Sequence, residues 1–308
     1  MKASVIMPVE RIGGDAERAI ESVLRQAAPF DFELIVVSAA PLPMAAPVVV
    51  DDRLRNVVET NRNPATRRNR AVSEATGEVL AFIDDDARAE PGWLANAVAY
   101  FDAHPDVLAL GGPDPAPDDS TTAELISDTL LATPLIGSGV AAHENRRGTF
   151  DLESPSDIAL VNLFVRRSAF TRFDESIGYI GEDTALIDSL MRSGRVVYHD
   201  AVRVVHRRRA FPDAYLRQRW RYRVKTGERR AFTPKVVAFL VVGTLAILAA
   251  PVAVVPYFAL TFLLGARATR LPVRYWPVIP FAFALHHATY YFGICWGLIR
   301  ASTVGSRP

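Results

Sequence analysis

From Val236 to Leu264 the chain runs for 29 residues without a charged side chain, and Tyr275 to Ile299 adds 25 more, broken only by His286 and His287. About 20 apolar residues suffice for a helix to cross a bilayer. Two such runs at one end leave no polar face to meet water, so buried core helices are the weaker reading. The first run exceeds one crossing yet is short for two. Pro251 and Pro256 either kink one tilted helix or mark a turn between two short ones. Two or three transmembrane spans are expected over residues 236–300, with 301–308 as a tail.

Charge divides the chain in the same way. The stretch from Val236 onward holds five arginines and no Asp, Glu or Lys. Arg203–Arg230 nets +9, and residues 1–202 net −14. The reading is a head (1–202), a basic amphipathic collar at the membrane surface (203–235) and a membrane region. The positive-inside tendency puts collar and head in the cytoplasm, which gives a multi-pass cell-membrane protein. Arg267, Arg270 and Arg274 share that side if the first run is a hairpin. No secretory signal is expected, because Ala3–Val9 is short and ends at Glu10 and Arg11. Cys295 is the one cysteine, so a reducing compartment suits the head.

The head alternates strand and helix patterns. Ala3–Met7, Glu33–Val37, Asn56–Glu59, Val79–Ile83 and Val107–Leu110 read as strands. Between them, Asp15 is placed to cap a helix with Ala19, Ile20, Val23, Leu24 and Ala27 on one face. Arg67–Ala75 reads as a helix stopped by Gly77, and Trp93–Ala103 as another. Such alternation predicts an α/β fold with a mostly parallel sheet flanked by helices, whose ligands bind beyond the carboxyl ends of the strands. Residues 113–120 read as a loop, and 137–156 as a mobile one.

Three constellations carry chemistry. Asp84, Asp85 and Asp86 follow an apolar strand, and adjacent carboxylates repel unless a cation or hydrogen bonds compensate. Their oxygens suit Mg²⁺ or Mn²⁺, which also bind phosphate. A solvated acidic turn is the competing reading. Glu182 and Asp183 open an apolar-periodic stretch and are either a helix cap or a general base. His206 begins a basic run through Arg209 that either holds phosphate or belongs to the collar.

In this order the pieces resemble the family-2 glycosyltransferases, inverting enzymes with an A-type nucleotide-binding fold. The resemblance covers roughly residues 3–225. It rests on Ala3–Val9, Glu33–Val37, Arg68-Asn69-Arg70-Ala71, Phe82–Asp86 with Pro91–Leu94, Phe173-Asp174-Glu175 with Gly181-Glu182-Asp183, and Val205-His206. It implies that Pro8, Val9 and Glu10 dock the nucleotide base, that Arg68, Asp84 and Asp85 contact the donor, and that Asp86 ligates Mg²⁺ or Mn²⁺. It further implies that Asp183 is the base, tuned by Glu182, and that His206 and Arg209 support the diphosphate. The last apolar run, with His286-His287, is similar to the final span of members that build extracellular or lipid-linked glycans. The implied activity moves one sugar from a nucleotide-diphosphate donor to a lipid-linked or membrane-proximal glycan acceptor. Donor, acceptor and membrane lipids are the expected partners, and no nucleic acid is.

Two departures qualify this. The family's second strand ends in an acidic residue that reads the base, whereas Ser38-Ala39-Ala40 stands here, with neither Asp51 nor Asp52 an obvious substitute. Trp220 precedes Arg221, which inverts the order of the Gln-x-x-Arg-Trp element of processive synthases. A nucleotide-sugar-binding membrane scaffold without turnover and a sugar nucleotidyltransferase remain as alternatives.

Overall fold

Ala3–Met7 is buried at every position, which a strand achieves only inside a sheet covered on both faces. The computed structural model describes residues 1–42, 51–136, 147–177, 180–230 and 232–304. In it, Ala3–Pro8 is β1, followed by α1 (Gly14–Leu24), β2 (Phe32–Ser38), β3 (Leu54–Val58), α2 (Pro64–Glu74), β4 (Val79–Phe82), β5 (Ala87–Ala89), α3 (Trp93–Ala103) and β6 (Val107–Gly111). After α4 (Thr122–Ala132) come β7 (Thr149–Asp151), β8 (Leu163–Arg166), α5 (Glu182–Ser193), β9 (Arg195–His199) and β10 (Val204–His206).

Eight strands form one sheet in the order β3-β2-β1-β4-β8-β6-β9-β7. The pairs β1–β2, β1–β4, β2–β3 and β6–β9 are parallel; β8 and β7 run antiparallel to their neighbours. This is the expected mostly parallel α/β sheet. Helices α1 and α3 cover one face with Val23, Trp93 and Phe101, and α2 and α5 cover the other with Ala71, Leu186 and Leu190. Trp93 is fully buried, and its Nε1–H donates to Asn162 Oδ1 at 2.8 Å. Truncating such a side chain costs about 3–5 kcal/mol.

Two local expectations differ. Gly13 precedes α1, and Asp15 lies inside the first turn, where its carboxylate pairs with Arg18. Helix α2 ends at Ala75 in extended backbone, so Gly77 is not its stop. Gly77 is instead needed where the chain crosses β1: a Cβ there would lie 2.5 Å from the Ser4 nitrogen. Of the stretch expected to be mobile, residues 137–146 lie outside the described residues, while 147–156 contain β7.

The chain divides into two compact units, 1–117 with 142–207, and 118–141 with 208–308. The second contains α4, α6 (Asp213–Glu228), α7 (Pro234–Leu248), α8 (Ala250–Ala268) and α9 (Ile279–Val304). The first apolar run is thus two helices parted at Ala249, with Pro251 in the first turn of α8. Among the described residues one helical stretch, Val273–Thr303, is long and apolar enough to cross a membrane; the other two apolar helices are shorter. The basic run forms α6, which lies along α9 through glycines. A Cβ on Gly227 would lie 2.2 Å from Ile294 O, and one on Gly297 would lie 2.1 Å from Val224 O. Residues 118–132 join this unit because Leu130 and Leu131 pack with Tyr215, Leu271 and Phe283. The histidine pair is satisfied: His286 Nδ1 meets Tyr215 OH at 2.7 Å, while His287 meets Tyr257 OH at 2.9 Å and Ile136 O at 2.8 Å.

Candidate active site

Parallel pairing of β1 with β4, Ile6 opposite Phe82, brings Pro8-Val9-Glu10 and Asp84-Asp85-Asp86 to neighbouring strand ends. The Glu10 N–H donates to Asp85 Oδ2 at 3.1 Å, and Arg67 reaches the Val9 carbonyl at 3.5 Å. The expected base-docking segment and the acidic triplet are therefore tied directly together.

Arg68, on the buried face of α2, is the central cation. Its Nη2 donates to Asp84 Oδ1 at 2.9 Å and its Nη1 to Glu182 Oε1 at 3.2 Å. One guanidinium thus joins the end of β4 to the first turn of α5. Gly181, at φ +95°, turns the chain into that helix with a conformation that glycine adopts freely. Burial pushes the Glu182 carboxyl up, and the neighbouring Asp183 charge adds to this, while Arg68 opposes both. Asp183 is partly exposed, with Oδ1 accepting from Thr184 N–H at 2.7 Å. The preceding segment is latched to α2: Glu175 accepts from Asn69 and Thr66, each at 2.8 Å, and Asn69 also bonds Phe173 through both amide atoms.

On the other side of the triplet, β10 pairs with β5, setting His206 opposite Ala87. The Arg207 N–H donates to the Asp86 carbonyl at 3.0 Å. His206 Nε2 stands 3.3 Å from Asp86 Oδ1, and Nδ1 stands 3.2 Å from Asp114 Oδ2. Asp114 is only 1% exposed. It belongs to the 113–120 segment, whose sequence reads as a loop; residues 113–117 are buried and stitched to β10 by Val204 N–H to Pro113 O and His206 N–H to Pro115 O. Buried Asn162 donates to Pro113 O and Val202 O, fixing the same strap from below.

Pro8, Val9, Glu10, Arg68, Asp84, Asp85, Asp86, Glu182, Asp183 and His206 all fall in the first unit. Arg209 falls in the second and is exposed. Asp51 is engaged by Arg53 at 2.6 Å. At the end of β2, Ser38 Oγ accepts from Asn56 Nδ2 at 2.8 Å. Sequence reasoning missed Asp114 and Asn56. An aspartate inside a Pro-rich stretch could have drawn attention; Asn56 gave no signal.

Among the described residues no group of three or more His, Cys, Asp or Glu could hold a metal ion. Asp86 nonetheless offers a carboxylate of the kind that Mg²⁺ and Mn²⁺ accept, with the His206 imidazole 3.3 Å away, and Mg²⁺ commonly binds through one or two carboxylates plus substrate phosphates.

Known proteins resemble parts or all of this chain. A 63-residue stretch, a fifth of each chain, is 38% identical to the glucosyl-dolichyl phosphate glucuronosyltransferase of Haloferax volcanii. Among solved structures, the Staphylococcus aureus TarS 1–349 crystal structure is 15% identical with a TM-score of 0.50, covering 99% of this chain and 92% of that one. At that identity the likeness concerns the fold alone. The mannosyltransferase PcManGT from Pyrobaculum calidifontis, in complex with GDP-Man and Mn²⁺, is 21% identical with a TM-score of 0.49, covering 99% and 76%. Residues 4–170, more than half the chain, match the Glycosyl transferase family 2 model, and the chain belongs to that family.

Proposed function

We propose that this family-2 glycosyltransferase moves a single sugar from a nucleotide-diphosphate donor to a lipid-linked or membrane-proximal glycan acceptor, with inversion. The observation that carries the reading is the Arg68 bridge, which sets the donor-side Asp84 and the turn bearing Glu182 and Asp183 one guanidinium apart. Asp183 takes the proton of the attacking hydroxyl, and attack opposite the leaving diphosphate inverts the anomeric centre. Partial exposure suits that task, because the acceptor must reach its carboxylate. Glu182, buried and tied to Arg68, orients the turn. Pro8, Val9 and Glu10 line the nucleotide side beside Asp85.

Asp86 and His206 would hold Mg²⁺ or Mn²⁺, with substrate phosphate and water completing the set. When bound, the ion neutralises charge on the departing diphosphate. Asp84 is engaged by Arg68 and contributes through that pair.

The membrane reading rests on exposed apolar side chains in the second unit. Val237, Val242, Leu245 and Leu248 on α7, Val252 and Val255 on α8, and Phe281 and Trp296 on α9 all lie open. Lipid is the solvent that removes this cost. We assign residues 1–202 to a cytoplasmic catalytic head, 203–235 to the membrane-surface segment and 236–300 to the membrane region.

The test is Asp183→Asn in purified full-length protein, with donor binding and product release followed separately. The expected result is abolished transfer with donor affinity retained. Turnover like that of the unmodified protein refutes the base assignment. Release of pyrophosphate in place of nucleoside diphosphate would identify a nucleotidyltransferase.

A further inference from the structure

Several cations of the basic run and its surroundings have carboxylate partners: Arg203 with Glu90, Arg207 with Asp15, Arg208 with Asp128, and both Lys225 and Arg300 with Glu228. Arg219 and Arg223, one turn apart on α6, are drawn in from solvent against aromatic rings, whereas Arg217 and Arg221 on the same helix are exposed. Among the described residues neither Arg219 nor Arg223 is paired with a carboxylate. The Arg219 Cζ lies 5.3 Å from the ring centroids of Tyr215 and of Tyr222, and the Arg223 Cζ lies 3.8 Å from that of Tyr290 on α9. The Nε of each guanidinium is buried without an acceptor. Gly293 makes room for Arg223, since a Cβ there would lie 2.8 Å from Arg223 Cβ.

Withdrawing charge from water without a counter-charge is unfavourable, and aromatic faces compensate only partly. The rings do hold the guanidinium planes, which removes the ordering cost of meeting a planar or tetrahedral oxyanion. Helix α9 has no acidic residue anywhere along it. What is missing is an anion. The helices around the pair expose Trp220, Phe292 and Trp296, so the anion's carrier is apolar.

We infer that Arg219 and Arg223 form a binding site for a phosphate group carried on a lipid. Guanidinium groups bind phosphate oxygens through paired, charge-assisted hydrogen bonds. The lipid can be a polyprenyl monophosphate or an anionic phospholipid; the phosphate is what the site reads. The carrier's apolar character rests on the membrane reading above, but binding is independent of sugar transfer and is measured without donor.

The full chain is tested by flotation with three vesicles: phosphatidylcholine alone, phosphatidylcholine with polyprenyl monophosphate, and phosphatidylcholine with phosphatidylglycerol. Arg219→Gln with Arg223→Gln is compared with Arg217→Gln with Arg221→Gln, whose arginines are exposed. The unmodified protein should prefer the two anionic vesicles over phosphatidylcholine, whose phosphate is neutralised by its choline, roughly tenfold or more, and the inner pair should lose that preference while the outer pair keeps it. Preference for polyprenyl monophosphate identifies an acceptor-type lipid, and equal binding of both anionic vesicles identifies bulk headgroups; either supports the site. Equal losses in both double variants reduce it to general surface charge and overturn it, as does full binding by the inner-pair variant. Should the inner pair not fold, phenylglyoxal labelling of the unmodified protein decides. Lipid phosphate should protect Arg219 and Arg223, and absence of protection overturns the site. Asp183→Asn should bind lipid normally, so failure of transfer and failure of this site are distinguishable.

Discussion

Asp114 stands behind His206, its Oδ2 3.2 Å from the imidazole Nδ1, with almost no surface of its own. A buried carboxylate there fixes the orientation of the ring, with Nε2 facing Asp86. Asp114→Ala should therefore lower Mn²⁺ affinity and transfer by about 10–100-fold, the usual cost of losing such an outer partner. Asp114→Asn still accepts a hydrogen bond and should lose less. Manganese titration of the protein without donor, alongside transfer rates, checks both. Equal effects of Ala and Asn would mean that orientation is not what the carboxylate provides.

Arg68 answers two carboxylates at once. Arg68→Ala leaves Glu182 buried without its cation and should destabilise by about 2–4 kcal/mol, with the partly open Asp84 keeping the figure from being higher. Adding Glu182→Gln removes the stranded charge, so the double variant should be more stable than Arg68→Ala alone. Neither should regain transfer, because the bridge between β4 and α5 is gone. Denaturant unfolding and activity report the two effects separately.

Far from the site, Glu33 gives a pH dependence. Burial raises its pKa, but hydrogen bonds from Thr76, Arg55 and Ser4 outweigh burial and hold it at about 2, against 4.5 ordinarily. The folded value is depressed, so its stabilisation is complete above about pH 4.5 and is lost as pH falls toward 2. A tenfold difference in proton affinity between folded and unfolded chains is worth about 1.4 kcal/mol. Solvent around the half-open Arg55 screens part of that gain. Glu33→Gln should destabilise at pH 7 by about 2–3 kcal/mol, and the gap from the unmodified protein should close on acidification. Urea unfolding between pH 7 and pH 2 measures it, and a constant gap across that window would refute the assignment.

What the sequence displays is whatever repeats locally. The runs at Ala3–Met7 and Val79–Ile83 became β1 and β4, Trp93–Ala103 became α3 to the residue, and the acidic triplet emerged at a strand end. Close approach between distant segments leaves no such period. Gly77 reads as a helix stop, yet its hydrogen is required by the Ser4 backbone. Asp114 sits among prolines and reads as solvent-exposed loop, because nothing in its neighbours reveals that β10 will claim their carbonyls. The basic run reads as a membrane-surface collar, since Gly227 lies far along the chain from Gly293 and Gly297 and their packing shows only when the two helices meet.

Gly112 makes the same kind of close approach. A Cβ on it would lie 2.0 Å from Val202 O and 2.5 Å from His199 O, both backbone atoms that cannot turn aside. Gly112→Ala must therefore push the 113–115 strap away from the turn leading into β10. That strap carries Asp114 and receives the N–H groups of Val204 and His206, so its displacement should also disturb His206. We expect a loss of about 3 kcal/mol or more, with transfer falling beyond what the unfolded fraction explains. Gly13→Ala is the control: no atom lies within 4 Å of its Cβ, and its backbone is extended at φ 179°. Its stability should change by no more than about 0.5 kcal/mol, with transfer unaltered. Thermal melts with transfer rates measured well below the melting temperature separate the two variants. A Gly112→Ala protein that folds and transfers normally would mean that the strap can shift without moving His206.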